Sequence, residues 1–376
     1  MDPERAAALM RRALRLAARG RGRVEPNPMV GCVLARGGAV LAEGYHRRFG
    51  GPHAEIEALR RCAGAARGAT AFVTLEPCCY TGKTPPCTRA LIAAGVARVV
   101  AAMRDPNPRV RGRGLRELSA AGIDVAVGLL EGEAQALNAP FSKTMRERRP
   151  WVIAKWAQSL DGRIATRRGD SKWISDETAR AHAQRVRGRV DAIVVGATTV
   201  LRDDPLLTCR VGRPRRVATR VVLDSRLRIP AASRLVRSAD RVPTWICCGP
   251  AAPRSRERAL TRAGCVVKRL PLAGGVSLEA LLDACGAADF TNVLVEGGGA
   301  VLGAFLDCRL IDEAHVYVAP RLIGGQDAVP CVAGVGCERV ARSARLVAPT
   351  WKRLGDGWLV QGRLRQVGSN GARRAR

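Results

Sequence analysis

Apolar residues near the start of the chain recur at helical spacing, and beyond residue 30 they gather into short runs. Leu9, Leu14 and Leu16 stand among alanines and arginines over residues 4–19, which predicts an amphipathic opening helix. Val30–Ala35 and Ala39–Tyr45 are strand-like runs separated by Arg36-Gly37-Gly38, a hairpin signal. The pattern then predicts a helix over His53–Cys62, a strand over Ala71–Leu75, a helix over Thr88–Ala94 and a strand over Val96–Met103. A helix over Leu115–Ala121 and a strand over Ile123–Gly128 repeat the alternation. Such a series folds as a layered α/β domain, its helices packed on a central sheet.

Arg146–Pro150 is a charged stretch closed by proline and marks a boundary, so residues 1–146 are expected to form one domain and 150–366 another. The second series opens with a strand over Trp151–Ala157. Strands follow at Ala192–Val195, Arg220–Asp224, Thr244–Cys248, Val293–Val295 and Ala314–Val318. Helices near 176–187, 254–263, 278–285 and 300–307 intervene, giving a second α/β domain of ordinary size. Residues 367–376 read as a flexible tail.

Composition narrows the class. At 376 residues the chain suits two cores better than one, and 47% hydrophobic residues is ordinary for globular protein. No uninterrupted run of about 18 apolar residues occurs, so no membrane span is predicted. Asp2 and Glu4 replace the apolar core of a secretory leader, and the Arg/Ala-rich first helix lacks the serines of a transit peptide. The expected location is the cytoplasm. The net charge of +30 is mostly arginine, since only six of the 63 basic residues are lysines. RNA is one reading of that charge, because phosphate contacts dominate nucleic-acid affinity. The arginines are scattered, however, and aromatics make up only 4%, too few for base-stacking platforms. The charge therefore reads as solvated surface, with some arginines serving phosphorylated small molecules. Among 13 cysteines, Cys32, Cys247, Cys248, Cys265 and Cys285 lie in apolar runs and read as core. Cys78, Cys79 and Cys87 instead share a Pro/Gly/Thr-rich loop.

That loop carries chemistry when joined to His53-Ala54-Glu55 at the start of the predicted helix. A catalytic zinc needs three protein ligands and one open position, and His53, Cys78 and Cys87 supply such a set. The metal lowers the pKa of a bound water to about 7, making a nucleophile available at neutral pH. Glu55, two residues beyond His53, is then near the metal without binding it and can move protons. A structural zinc would be closed by four ligands. Cys79 is the available fourth, but adjacent cysteines rarely both reach one ion, and a closed site leaves Glu55 without a purpose. The reading is a catalytic zinc.

The first 145 residues resemble the cytidine-deaminase superfamily, in particular the deaminase half of the bifunctional riboflavin-biosynthesis deaminase/reductase family. The matching strings are Pro26-Asn27-Pro28-Met29-Val30-Gly31, Pro52-His53-Ala54-Glu55, Thr74-Leu75-Glu76-Pro77-Cys78, Gly82-Lys83-Thr84-Pro85-Pro86-Cys87 and Asp105-Pro106-Asn107-Pro108. The resemblance implies that His53, Cys78 and Cys87 bind one Zn2+, that Glu55 is the proton shuttle, and that Asn27 contacts the pyrimidine. Where the family usually has a Ser-His-type segment, this chain has Cys79-Tyr80-Thr81.

Val295-Glu296-Gly297-Gly298-Gly299 follows an apolar run and precedes a helix, a geometry that offers backbone N–H groups to phosphate. Its spacing is not that of a Rossmann fingerprint. Residues 150–365 resemble the dihydrofolate-reductase-like reductase domain of the same family. Its strings appear as Ser159-Leu160-Asp161-Gly162-Arg163, Ser171-Lys172-Trp173-Ile174, Gly196-Ala197-Thr198-Thr199-Val200, Asp203-Asp204-Pro205 and the Glu296–Gly299 turn. By that similarity Ala157, Trp173, Thr199, Asp203, Ser225, Gly298 and Gly299 face NADPH. Ser171, Arg187, Leu207, Arg210 and Glu296 face the substrate, and Lys155 stands with them as a catalytic group. Arg187 and Arg210 suit a ribose phosphate, which guanidinium grips in bidentate fashion.

The implied activity is hydrolytic deamination of 2,5-diamino-6-(5-phosphoribosylamino)pyrimidin-4-one, then NADPH-dependent reduction of the ribosyl chain to ribityl. The expected partner is this phosphorylated pyrimidine, with no nucleic acid and no membrane, in a homo-oligomer. A tRNA adenosine deaminase with a basic RNA-binding second domain also fits the zinc motif. It leaves the Asp203-Asp204-Pro205 and Glu296–Gly299 strings without a purpose.

Overall fold

The computed structural model describes residues 2–365 and divides into two compact units, residues up to Arg148 and residues from Arg149 onward. The tail read at 367–376 lies outside the described residues. In the first unit, strands β1 (Gly31–Arg36), β2 (Ala39–Tyr45), β3 (Thr70–Val73), β4 (Arg98–Ala101) and β5 (Asp124–Val127) form one sheet in the order β2-β1-β3-β4-β5. β1 is antiparallel to both neighbours, whereas β3, β4 and β5 are parallel. Helices on both faces explain why β1 reads as an unbroken apolar run. Val33 and Ala35 pack with Leu9, Met10 and Leu14 of α1 (Pro3–Ala17). Cys32 and Leu34 pack on the other face with α2 (Ala54–Arg61), α3 (Cys87–Ala93) and α4 (Arg113–Ala120), through Ala58, Leu91 and Leu118.

Helices α5 (Glu131–Leu137) and α6 (Ala139–Glu147) have no counterpart in the pattern reading, which passes from Gly128 directly to the boundary. Asn138 and Pro140 interrupt the apolar period there. The Asn138 amide instead serves residue 29, accepting from Met29 N–H at 2.8 Å and donating to its carbonyl at 2.9 Å.

The second unit is built on nine strands: β6 (Trp151–Ser159), β8 (Ala192–Gly196), β9 (Thr219–Leu223), β10 (Thr244–Cys248), β11 (Val266–Arg269), β12 (Asn292–Val295), β13 (Glu313–Ala319), β15 (Arg345–Leu354) and β16 (Gly357–Arg365). Their order is β11-β10-β9-β8-β12-β6-β13-β16-β15, parallel from β11 to β13 and antiparallel beyond. A separate short pair joins β7 (Arg163–Ala165) to β14 (Val329–Pro330). Helices α7 (Glu177–Arg187), α8 (Ala197–Asp203), α9 (Arg234–Arg237), α10 (Arg254–Arg262), α11 (Leu278–Ala287) and α12 (Gly299–Asp307) connect the strands. One face of the sheet buries Ile193, Val222 and Ile246 with Leu235 and Leu260. The other buries Val194, Val221 and Val293 with Leu281, Leu302 and Phe305. The β15–β16 hairpin is absent from the pattern reading because β15 is exposed along almost its whole length, so no buried face imposes alternation.

All thirteen cysteines are unpaired, and Cys32, Cys247, Cys248, Cys265 and Cys285 are buried as expected. Among the described residues no helix is long and apolar enough to cross a membrane.

Candidate active sites

His53 immediately precedes α2, and Glu55 stands in its first turn. The helix lies tight against β2, because a Cβ on Gly44 would collide with the Ala54 carbonyl. That close approach brings His53 down beside the loop after β3, which carries Cys78, and the first residue of α3, Cys87. His53 Nδ1 lies 3.3 Å from Cys87 Sγ and 3.5 Å from Cys78 Sγ. All three donor atoms fall within 4.8 Å of one another, the only such His/Cys/carboxylate group among the described residues. Tetrahedral zinc, with bonds of about 2.1 Å to nitrogen and 2.3 Å to sulfur, holds such ligands about 3.6 Å apart. The donor set fits the ion.

The surroundings fit it too. His53 Nε2 lies 3.3 Å from Thr84 Oγ1, so the nitrogen facing away from the thiols has its own partner. The Cys87 N–H points at Cys78 Sγ at 3.4 Å. A hydrogen bond from Cys87 and the nearby imidazole pull the Cys78 thiol down to about 4 against its burial, while Cys87, as donor, is pushed up. Cys79 stays out of the group, its sulfur 4.0 Å from the Arg109 carbonyl. Glu55 is 3% exposed, and burial raises its carboxyl to about 7 against the pull of His53. Its Oε2 is buried without a hydrogen-bond partner among the described residues. Asn27 Nδ2 lies 3.3 Å from His46 Nε2, and the His46 ring packs edge-on to His53 at 5.3 Å. A lone histidine at a strand end gives no signal in sequence, so His46 escapes the sequence reading.

In the second unit a cavity of about 540 Å³ opens beside the middle of β6 and where β8 and β12 end. Open parallel sheets place ligands at the carboxyl ends of their strands. Eleven of the thirteen reductase positions read from the sequence line it: Lys155, Ala157, Ser171, Trp173, Arg187, Thr199, Asp203, Arg210, Glu296, Gly298 and Gly299. Ser225 and Leu207 do not. Ser225 follows β9, its carbonyl accepting from Gly249 N–H, and Leu207 is buried in the core. The glycine turn lets α12 close on β14, since a Cβ on Gly299 would come within 2.7 Å of the Pro330 carbonyl.

Glu296 organises the polar end of this cavity. Arg187 clamps it in bidentate fashion, Nε to Oε1 at 2.9 Å and Nη2 to Oε2 at 2.6 Å, and Lys155 Nζ lies 3.7 Å from Oε2. Burial alone would push the Glu296 carboxyl up, but Arg187 and then Lys155 outweigh it and hold it at about 2. Burial lowers the Lys155 ammonium despite that carboxylate. Tyr317 lies beneath Lys155, ring centre 5.4 Å from Nζ, and its hydroxyl meets His182 Nδ1 at 2.8 Å. Neither Tyr317 nor His182 carries a motif. At the mouth Trp173 is 62% exposed, with the Arg180 guanidinium stacked 4.4 Å over its ring.

Comparison with known proteins places both sites in one lineage. The family described as the cytidine and deoxycytidylate deaminase zinc-binding region matches residues 3–103, and the RibD C-terminal domain matches residues 150–360. The riboflavin biosynthesis protein RibD of Actinobacillus pleuropneumoniae is 39% identical over 351 residues, covering 93% of each chain. The chain belongs to the RibD family. The Escherichia coli member is 44% identical over 84% of this chain and 88% of its own. The solved Acinetobacter baumannii RibD, form 1, has a TM-score of 0.85 at 35% identity, over 97% of this chain and 100% of that one. A Thermotoga maritima structure, described as a diaminohydroxyphosphoribosylaminopyrimidine deaminase/5-amino-6-(5-phosphoribosylamino)uracil reductase, has a TM-score of 0.83 at 35% identity, over 96% and 99%. The first unit is thus cytidine-deaminase-like, and the second is the dihydrofolate-reductase-like domain of this family.

Proposed function

We propose that this chain catalyses two consecutive steps of riboflavin biosynthesis on one phosphorylated pyrimidine. Water replaces the 2-amino group of 2,5-diamino-6-(5-phosphoribosylamino)pyrimidin-4-one, releasing ammonia, and the ribosyl chain of the resulting uracil is then reduced to ribityl. The observation that carries this reading is the part-buried His53–Cys78–Cys87 donor set with Glu55 Oε2, buried and unpartnered among the described residues, beside it, in a chain whose other unit holds the Lys155–Glu296–Arg187 cavity. A zinc ion, held by His53, Cys78 and Cys87, supplies water activation near neutral pH. Glu55 takes a proton from the attacking water and gives it to the ring nitrogen, then carries the proton of the new C2 hydroxyl to the departing amine, so that ammonia leaves as C2=O forms. Asn27, close to His46 and so to the ligand histidine, orients the pyrimidine.

In the second unit NADPH supplies the hydride. Ala157, Trp173, Thr199, Asp203, Gly298 and Gly299 receive the nucleotide, and Ser171 and Arg210 the phosphorylated sugar. Arg187 shares its guanidinium between two tasks, because Glu296 occupies Nε and Nη2 and leaves Nη1 for phosphate. Glu296 fixes Lys155, whose lowered pKa makes it the better acid. Its proton goes to the nitrogen of the open-chain imine as hydride reaches C1, so the C=N bond becomes CH2–NH. Positioning does the rest.

The diaminopyrimidine compound, supplied with and without NADPH, tests both steps. Ammonia is expected in either case and NADPH oxidation only after it. No ammonia would sink the reading. NADPH should exceed NADH in kcat/KM, because the 2′-phosphate gains charge-assisted hydrogen bonds in an arginine-rich cavity. Equal values would overturn that choice of cofactor.

The reading includes a cytoplasmic homo-oligomer and no nucleic-acid partner. Support for self-association comes from the second unit, where Leu322, Val335, Val340 and Trp351 are exposed and β15 ends the sheet. A single-chain mass by light scattering would contradict it.

A further inference from the structure

The Thr74-Leu75-Glu76-Pro77-Cys78 string contains a carboxylate that the deamination chemistry leaves unused. Glu76 is 3% exposed, and no arginine or lysine pairs with it among the described residues. Its oxygens face backbone amides only. Oε2 accepts from Asp105 N–H at 3.1 Å and from Gly112 N–H at 2.9 Å. Oε1 accepts from Gly114 N–H at 3.1 Å and from Leu115 N–H at 3.4 Å. Three of these amides belong to the N-terminus of α4, where Gly112 is the cap residue. Glu76 thus caps a helix far from it in sequence, with its negative charge on the positive end of the helix. The approach is close, since a Cβ on Gly114 would collide with the Pro77 carbonyl.

The same carboxylate grips both ends of the stretch 105–112. That stretch lies against the turn after Cys78: Asn107 Nδ2 reaches the Tyr80 hydroxyl at 3.5 Å, and Cys79 Sγ lies 4.0 Å from the Arg109 carbonyl. We propose that Glu76 is a positioning residue of the deaminase, holding residues 105–112 as one wall of the substrate site beside Cys78. The proposal rests on the deaminase reading of the first unit. Glutamine at 76 would keep the shape, but its NH2 group would face two N–H donors where an oxygen now accepts.

The test is Glu76→Gln in the full zinc-loaded chain. The expected result is a KM for the diaminopyrimidine raised at least about tenfold, in the range for groups that orient an active site from behind. The kcat should change little, with one zinc per chain retained and reduction of the deaminated compound unaffected. Amide hydrogen exchange at Asp105, Gly112, Gly114 and Leu115 should quicken, a readout independent of turnover. Unchanged KM with unchanged exchange overturns the proposal. So does loss of zinc together with kcat, which would make Glu76 a support of the ligand loop instead. Should the glutamine variant fail to fold, Glu76→Asp keeps the charge but shortens its reach, and wild-type KM and exchange in that variant overturn the proposal equally. If the unmodified chain releases no ammonia, the deaminase reading fails, while amide exchange still reports whether Glu76 holds the stretch.

Discussion

Replacing Glu55 with alanine is expected to slow ammonia release by about 10²–10⁴-fold, the range for loss of a positioned proton carrier. Glu55 is buried beside His53, and its Oε2 has no hydrogen-bond partner among the described residues, which leaves that oxygen available for proton transfer. Glu55→Gln should be nearly as slow, because it keeps the volume and removes the exchangeable proton; activity near wild type in that variant would mean the side chain only fills space. Reduction of the pre-deaminated uracil compound should continue in both variants. The cavity that would perform it is lined by residues of the second unit alone, from Lys155 to Val329. Loss of both activities would show that the two halves do not work independently.

Two adjacent thiols should behave in opposite ways. Cys78→Ser is expected to lose bound zinc and ammonia release together, whereas Cys79→Ser should keep one zinc per chain and most of its activity. Cys78 Sγ is within 3.5 Å of His53 Nδ1 and is poised as thiolate, while Cys79 points toward the Arg109 carbonyl and burial raises its pKa. A serine hydroxyl in place of Cys78 stays neutral and hard, a poor exchange for thiolate on zinc. Metal analysis of both variants, alongside ammonia release, settles the matter. Zinc lost from Cys79→Ser would mean a closed or misassigned site and would remove the main support for deamination.

The His53–Cys78–Cys87 donor set was legible because each residue sits in a short local motif whose residue types and order point to metal chemistry. The cavity of the second unit was legible mainly through resemblance to a family, because its residues come from separate strands, helices and loops and each is unremarkable alone. Pairing across that cavity was not legible at all. Arg187, read as a phosphate ligand, spends two of its nitrogens on Glu296, which lies 109 residues further along the chain. Tyr317 and His182 are likewise joined only by the fold. Missed elements have their own causes. Helices α5 and α6 hide behind Asn138 and Pro140, and β15 has no buried face to set a period. Glu76 stands in the sequence reading only as part of the Thr74–Cys78 string, with no role of its own, since the backbone amides it accepts from leave no mark on sequence.

The central position of β6 has a consequence for how the chain emerges during synthesis. β6 is the first strand of the second unit, yet its two neighbours are β12 and β13, with Trp151 opposite Asn292 and Ile153 opposite Glu313. Until those residues leave the ribosome, an apolar strand that is central in the finished sheet has both edges bare. Closing so long a loop before any pairing is rewarded makes this step slow. The first unit has no such delay, since β1 pairs with β2 across a short turn and β3 follows. The first half can therefore be folded and metal-ready while β6 still waits, and a ribosomal pause before residue 292 would leave that strand open to intermolecular pairing.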